Sequence, residues 1–184
     1  TSVMNITENK KFEQRLLVQS RMDALTKICN RGYGEAQIEK LLKAKKNGMF
    51  LLFDVDKFKH INDTYGHSIG DEVLIQVADA LKQTFEQAGV CMRLGGDEFA
   101  VYAPEITEQM QAETMIQAFF ERIREIAIPQ MEGDAISVSL GAVLCAPDRE
   151  HVFEKVYQRA DATMYTCKKV IGNSYDFYTG RNPA

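Results

Sequence analysis

Met49-Phe50-Leu51-Leu52-Phe53-Asp54-Val55 places apolar side chains at consecutive positions, so a strand made from it shows apolar surface on both faces. Such a strand belongs in the middle of a sheet with structure packed on each side. A second constraint lies at Arg93-Leu94-Gly95-Gly96-Asp97-Glu98-Phe99. Val90, Met92 and Leu94 alternate with Cys91 and Arg93 before the glycines, and Phe99 and Val101 alternate with Ala100 and Tyr102 after them. Two alternating runs around a glycine pair read as a β-hairpin. Gly95 and Gly96 supply the positive φ of a tight turn and, lacking Cβ, let a backbone or a phosphate approach. Asp97 and Glu98 then fall at or just past the tip. Alone, this acidic turn reads equally well as a solvated loop; Asp54-Val55-Asp56, at the end of a separate apolar run, adds a second carboxylate cluster.

The remaining segments supply helices and two further strands. Ile6 to Met22 contains neither Gly nor Pro and reads as a helix. Val18, Met22 and Leu25 have heptad-like spacing over less than two heptads, so a coiled coil and a helix lying on the domain both fit. Ile38, Leu41, Leu42 and Ala44 mark a short amphipathic helix that stops at Asn47-Gly48. Phe58, Ile61 and Tyr65 fall at helical spacing, Gly66 to Gly70 reads as a turn, and Val73, Leu74, Val77, Ala80, Leu81 and Phe85 line a longer helix from Asp71. Asp71 stands at that start, where a carboxylate can cap free amide groups, as an alternative to a functional role. The hairpin ends at Pro104, and a helix follows over about 107–126. Ile136, Val138, Leu140 and Ala142 alternate with Ser137, Ser139, Gly141 and Val143, as in a half-buried strand. A last helix follows Pro147-Asp148, with Lys168 and Lys169 in its final turn, and Tyr175, Phe177 and Tyr178 form a closing strand. Hairpin strands mixed with helical crossovers imply an α/β (α+β) fold: a central mixed or antiparallel five-stranded sheet flanked by helices.

A net charge of −4, with no tryptophan and no long basic run, argues against sequence-independent nucleic-acid binding. The four cysteines, Cys29, Cys91, Cys145 and Cys167, form no Cys-x-x-Cys pair and sit among apolar neighbours, as expected of reduced thiols in a cytoplasmic domain. No apolar stretch is long enough to span a bilayer, so no membrane contact by this domain is expected. The chain opens on Thr1 without a signal peptide, which suggests a piece of a longer protein whose upstream part carries a sensor or an anchor.

Carboxylates converging from different strands suit magnesium, which takes a few carboxylates together with water and substrate phosphates. An EF-hand reading of Asp54-Val55-Asp56 fails, because Lys59 stands where that loop needs Gly and Tyr65 where it needs Glu. The chain has no Gly-x-x-x-x-Gly-Lys-Ser/Thr, so it is no P-loop enzyme. His67, between turn glycines, reads as a residue that stitches backbone groups together rather than as a catalyst. Lys168 reads as either a phosphate contact or a helix-end lysine.

Collinear motifs from Asp23 to Tyr178 resemble the GGDEF-domain diguanylate cyclases of bacteria. They are Asp23-Ala24-Leu25-Thr26 with Asn30-Arg31, Asp54 to Lys59 with Asn62-Asp63, Gly66-His67, Gly70-Asp71, Arg93 to Phe99, and Ala160-Asp161 with Met164-Tyr165 and Lys168. The resemblance implies a sheet-and-helix domain similar to nucleotide cyclases and polymerase palms, over residues 23–179, with a linker helix at 1–22 and a tail at 180–184. It implies condensation of two GTP into cyclic di-GMP with release of two pyrophosphates. By position Asp54, the Val55 carbonyl, Asp97 and Glu98 match ligands of Mg2+, with Mn2+ as the alternative, and Asp97 and Glu98 match the catalytic acids. Asn62 and Asp71 match guanine readers, Lys59 and Lys168 triphosphate contacts, and Gly95 and Gly96 the turn that admits substrate. Because each GTP supplies an attacking hydroxyl and an α-phosphate, two domains must meet face to face as a homodimer.

The sequence departs from the pattern in three respects. Gly172 replaces a triphosphate-binding Arg, with Lys169 and Arg181 as candidate substitutes, though an ammonium does not reproduce a forked guanidinium. An Arg-x-x-Asp inhibitory site would fall at Glu86 and Gly89 and is missing. Lys27 and Gly32 replace a common Gly and Arg around Asn30-Arg31. The Gly172 change motivates an alternative, a catalytically weak or inactive module that binds GTP and regulates a partner.

Overall fold

The computed structural model describes residues 2–180, without the side chains of residues 2–4, 18 and 19. The heptad position Val18 and the substitute Arg181 therefore lie outside the described side chains. In chain order the elements are α1 (Ser2–Arg21), α2 (Arg31–Lys43), β1 (Met49–Val55), α3 (Phe58–Tyr65), α4 (His67–Phe85), β2 (Val90–Gly95), β3 (Glu98–Ala103), α5 (Gln109–Arg124), β4 (Val138–Leu144), α6 (Phe153–Cys167) and β5 (Ser174–Phe177). They build a mixed five-stranded sheet in the order β2-β3-β1-β4-β5. β1 is antiparallel to both neighbours, and β5 is parallel to β4.

The apolar run of β1 is covered on both sides, as its composition requires. Met49, Leu51, Phe53 and Val55 join a core with residues of α4 and α5, whereas Phe50 and Leu52 join a second core with residues of α2 and α6. Phe53 stacks on Phe99 at 5.3 Å and meets Phe119 of α5 at 5.0 Å. Fully burying a side chain of this size stabilises by about 1.5–3 kcal/mol, so β1 and β3 are fixed by the core and their ends become rigid mounts.

Four local readings need correction. β4 is buried on both faces rather than half-buried, because it is the inner neighbour of β1 and α6 packs against it; Ser139 is tolerated there at 0% exposure because Asp56 accepts its hydroxyl. Only Gly66, at φ +91°, breaks the chain between α3 and α4. α4 therefore begins at His67, which puts Asp71 inside the helix and not at its cap. The His67 ring is exposed and makes no hydrogen bond among the described residues, so it stitches nothing together. Finally, α1 does not lie on the domain: Ile6, Phe12, Leu16 and Leu17 are exposed along it, and its end is held by Arg21 over the Tyr33 ring at 5.0 Å. All four cysteines are free. Among the described residues no helix is long and apolar enough to cross a membrane.

Candidate active site

The strand ends and the hairpin bring the acidic residues together. Asp54 of β1 is register-paired with Glu98 of β3, so both side chains leave the same face of the sheet. Gly95 and Gly96 adopt φ +148° and +52°, and Asp97 follows them in the turn. The Val55 amide donates to the Asp97 carbonyl at 3.3 Å, tying the turn to the end of β1. Arg93 locks the turn from behind, donating from two nitrogens to the Gly96 carbonyl at 3.0 and 2.7 Å and to Asp23 at 3.1 and 3.3 Å.

Asp54 and Asp97 share a half-buried space. Burial pushes the Asp54 carboxyl above the usual carboxylate range, against a 2.7 Å ion pair with Lys168. Burial, then the neighbouring Asp54 charge, raises Asp97 as well. Lys168, at the C-cap of α6, gains from the same pair, its ammonium held above its ordinary value by Asp54. The two ends of the ion pair thus differ in sign: the cost of desolvating Asp54 exceeds what the half-exposed lysine returns through solvent. One oxygen, Asp54 Oδ1, is buried without a hydrogen-bond partner. A buried unpaired acceptor costs about 1–3 kcal/mol and calls for an explanation such as a bound ion. Among the described residues no three acidic, His or Cys side chains close into a ready metal cluster. Even so, an orphaned hard oxygen beside a second carboxylate fits a hard divalent cation.

The other candidates flank this space. α3 leaves from the end of β1 through Asp56 and Lys57. Asp56 is pinned by Ser137 and Ser139 at 2.5 and 2.6 Å, and Lys57 takes the left-handed φ of +53° that starts the helix. Asn62 lies against Gly70 of α4, where a Cβ would overlap its side-chain oxygen. Lys59 and Asp71 are exposed on α3 and α4. Gly172 takes φ +88° in the turn before β5, with Lys169 exposed nearby in sequence. The structure thus unites Asp54, Asp97, Glu98 and Lys168 and sets Asn62 on Gly70, while among the described residues no hydrogen bond or ion pair joins the Lys59 or Asp71 side chain to either group.

Three contacts were not foreseen. Tyr157 of α6 donates to Glu98 Oε1 at 2.6 Å; its one signal in sequence is a position one helical turn before Asp161. The serines that hold Asp56 read only as the polar face of a strand, and Arg93 read as a strand residue and part of the family motif, with no partner named.

The Asp23–Arg93 pair has a consequence for pH. Burial pushes Asp23 upward, but hydrogen bonds from the Thr26 side chain and backbone and from Arg93 outweigh it, so its carboxyl lies below the ordinary value. An acid with a depressed folded value contributes stability fully above its unfolded value, about pH 4, and loses it as pH falls through the folded one. Asp23→Asn is expected to cost on the order of 1 kcal/mol at neutral pH and to narrow its gap to wild type below about pH 4. Melting temperatures from pH 2 to 7 measure this, and a gap that stays constant contradicts it.

The family description "Diguanylate cyclase, GGDEF domain" matches residues 20–174. Probable diguanylate cyclase DgcC of Escherichia coli is 30% identical over 179 residues, 94% of this chain and 47% of that protein. Diguanylate cyclase DosC of the same species is 32% identical over 166 residues, 86% of this chain and 35% of that protein. The chain thus spans less than half the length of these curated relatives. The coiled coil and GGDEF domain of DgcB from Caulobacter crescentus, solved with c-di-GMP, shares the fold with a TM-score of 0.87 at 22% identity, covering 96% of this chain and 95% of that one. The GGDEF domain of YfiN from Pseudomonas aeruginosa gives a TM-score of 0.76 at 27% identity, over 86% and 94%. With the family match running from the turn that holds Arg93 through the hairpin to the strand after Lys168, the chain belongs to the GGDEF diguanylate cyclase family.

Proposed function

We propose that residues 23–179 condense two GTP into cyclic di-GMP, releasing two pyrophosphates, when two copies of the domain face each other. The observation that carries this reading is Asp54, whose buried unpaired Oδ1 lies in the same acidic space as Asp97 and whose other oxygen is neutralised by the half-exposed Lys168. Asp54, the Val55 carbonyl, Asp97 and Glu98 would hold Mg2+ or Mn2+. When bound, such an ion neutralises charge on the transferring phosphoryl group and makes the attacking hydroxyl more acidic. Lys168 and Lys59 would supply the cations that contact the triphosphate. Gly95 and Gly96 leave open space at the turn, since a Cβ on either would meet nothing within 4 Å. Asn62 and Asp71 read guanine, whose ring N–H and exocyclic amine offer donors to a carboxylate.

A homodimer is required because one domain holds one GTP, and α1 is the linker by which an upstream sensor would set the pairing. The domain itself is read as cytoplasmic. No Arg-x-x-Asp feedback site is proposed at Glu86 and Gly89: Glu86 pairs with Lys82 at 3.9 Å, and a Cβ on Gly89 would overlap the Tyr102 carbonyl.

Incubating concentrated protein with GTP and Mg2+ and separating the nucleotides at several protein concentrations tests the reading. Cyclic di-GMP should form faster than in proportion to enzyme. Absence of product with GTP still bound would favour a regulatory GTP-binding module, the reading that Gly172 supports. Restoring Arg there is not a clean test, because the φ of +88° strains any L side chain.

Gly70→Ala separates guanine reading from folding. Alanine in a helix interior is favoured over glycine by about 1 kcal/mol, yet its Cβ would evict the Asn62 side chain. The expected result is about tenfold weaker binding of a non-hydrolysable GTP analogue, the value of one hydrogen bond, with an unchanged or higher melting temperature. Unchanged affinity would remove Asn62 from the guanine site.

A further inference from the structure

Glu98 is held by a residue on another element. Its Oε1 accepts the Tyr157 hydroxyl at 2.6 Å, and Tyr157 is its one side-chain hydrogen-bond donor among the described residues. The phenol is mounted on the core: Tyr157 stacks on Phe153 at 6.2 Å, and Phe153 meets the fully buried Phe50 edge-on at 5.8 Å. Carboxylates crowd Glu98, and the nearby Lys168 is engaged by Asp54. Asp54 is the register partner of Glu98 on β1, Asp97 precedes it in the turn, and Asp161 follows Tyr157 by one turn of α6. The Tyr157 hydroxyl supplies a donor within that crowding.

We propose that Tyr157 is a positioning residue for Glu98, occupying Oε1 so that Oε2 alone faces the reaction. This rests on the cyclase reading above. It narrows the role of Glu98: Oε2 is the oxygen turned to the metal or to the attacking hydroxyl, while Oε1 keeps the phenol. An outer partner of this kind is worth about 10–100-fold in metal affinity or activity.

Tyr157→Phe keeps the ring stack and removes only the hydroxyl. Against wild type and Glu98→Gln, three quantities decide: kcat and KM for GTP, Mn2+ affinity in the presence of a non-hydrolysable GTP analogue by electron paramagnetic resonance, and melting temperature. The expected result is kcat and Mn2+ affinity each lowered about tenfold, with KM within about twofold and the double variant no worse than Glu98→Gln alone. A merely structural tyrosine would lower the melting temperature and leave Mn2+ affinity and kcat as they were, which overturns the proposal. Should wild type make no cyclic di-GMP, the cyclase reading fails by itself and Mn2+ affinity still decides: weakened binding in Tyr157→Phe supports the positioning role, and unchanged binding overturns it.

Discussion

Asp54→Asn is expected to lower cyclic di-GMP synthesis about 10³-fold while leaving a folded domain. Losing one preorganised electrostatic group commonly costs about 10²–10³ in rate, and this group carries two duties. Its buried Oδ1 is the oxygen best placed to take a divalent ion, and its Oδ2 fixes Lys168 at 2.7 Å. Asparagine keeps the shape and removes the charge. Product formed per enzyme over a range of Mg2+ concentrations measures the effect, and synthesis within a few-fold of wild type would remove Asp54 from the metal site.

Stability should move the other way. The folded carboxyl lies above its ordinary value, chiefly through burial. An acid of this kind costs nothing below its unfolded value, and the cost of ionising it is complete once pH passes the folded one. At neutral pH without divalent ions, the variant should therefore melt at or above the wild-type temperature. Adding Mg2+ should raise the wild-type melting temperature and leave the variant in place, because a ligand stabilises only the state that binds it. A variant that keeps the Mg2+ response would place the ion elsewhere.

The sequence displayed the frame and the acids but not what holds the acids. β1 was legible because seven nearly uninterrupted apolar positions have one stable location, and the hairpin because two alternating runs flank glycines that the structure shows at positive φ. Both are local patterns with a period. The start of α4 was misplaced because Gly70 looks like a breaker, whereas it is a helix residue kept small by Asn62, a neighbour on another helix. Ser139 looked solvent-facing for the same reason: its partner, Asp56, is far away in sequence. Tyr157 and Arg93 act on the hairpin through contacts that span 59 and 70 residues, which no periodicity records. The guanine-reading and phosphate assignments came from family resemblance, because Lys59 and Asp71 are exposed and among the described residues no hydrogen bond or ion pair joins them to the carboxylates.

Gly141→Ala should be strongly destabilising for a single added methyl. A Cβ there would overlap the Ala160 carbonyl oxygen and stand 2.7 Å from the Met164 amide nitrogen, so β4 and α6 touch backbone to backbone. Neither obstacle is a side-chain tip that can swing aside. The helix must lift off the sheet, and overpacking of this kind costs about 3 kcal/mol. The Cys167 thiol, 3.4 Å from the Leu140 carbonyl, marks how close the contact stays toward the end of α6. Because α6 carries both Tyr157 and Lys168, lifting it also draws the donor from Glu98 and the ammonium from Asp54. Denaturant unfolding should therefore show a loss of about 3 kcal/mol, and at temperatures where the variant is still folded, synthesis should fall with it. A variant as stable and as active as wild type would mean that α6 does not rest on the backbone of β4, and the alignment of the acidic site would need another support.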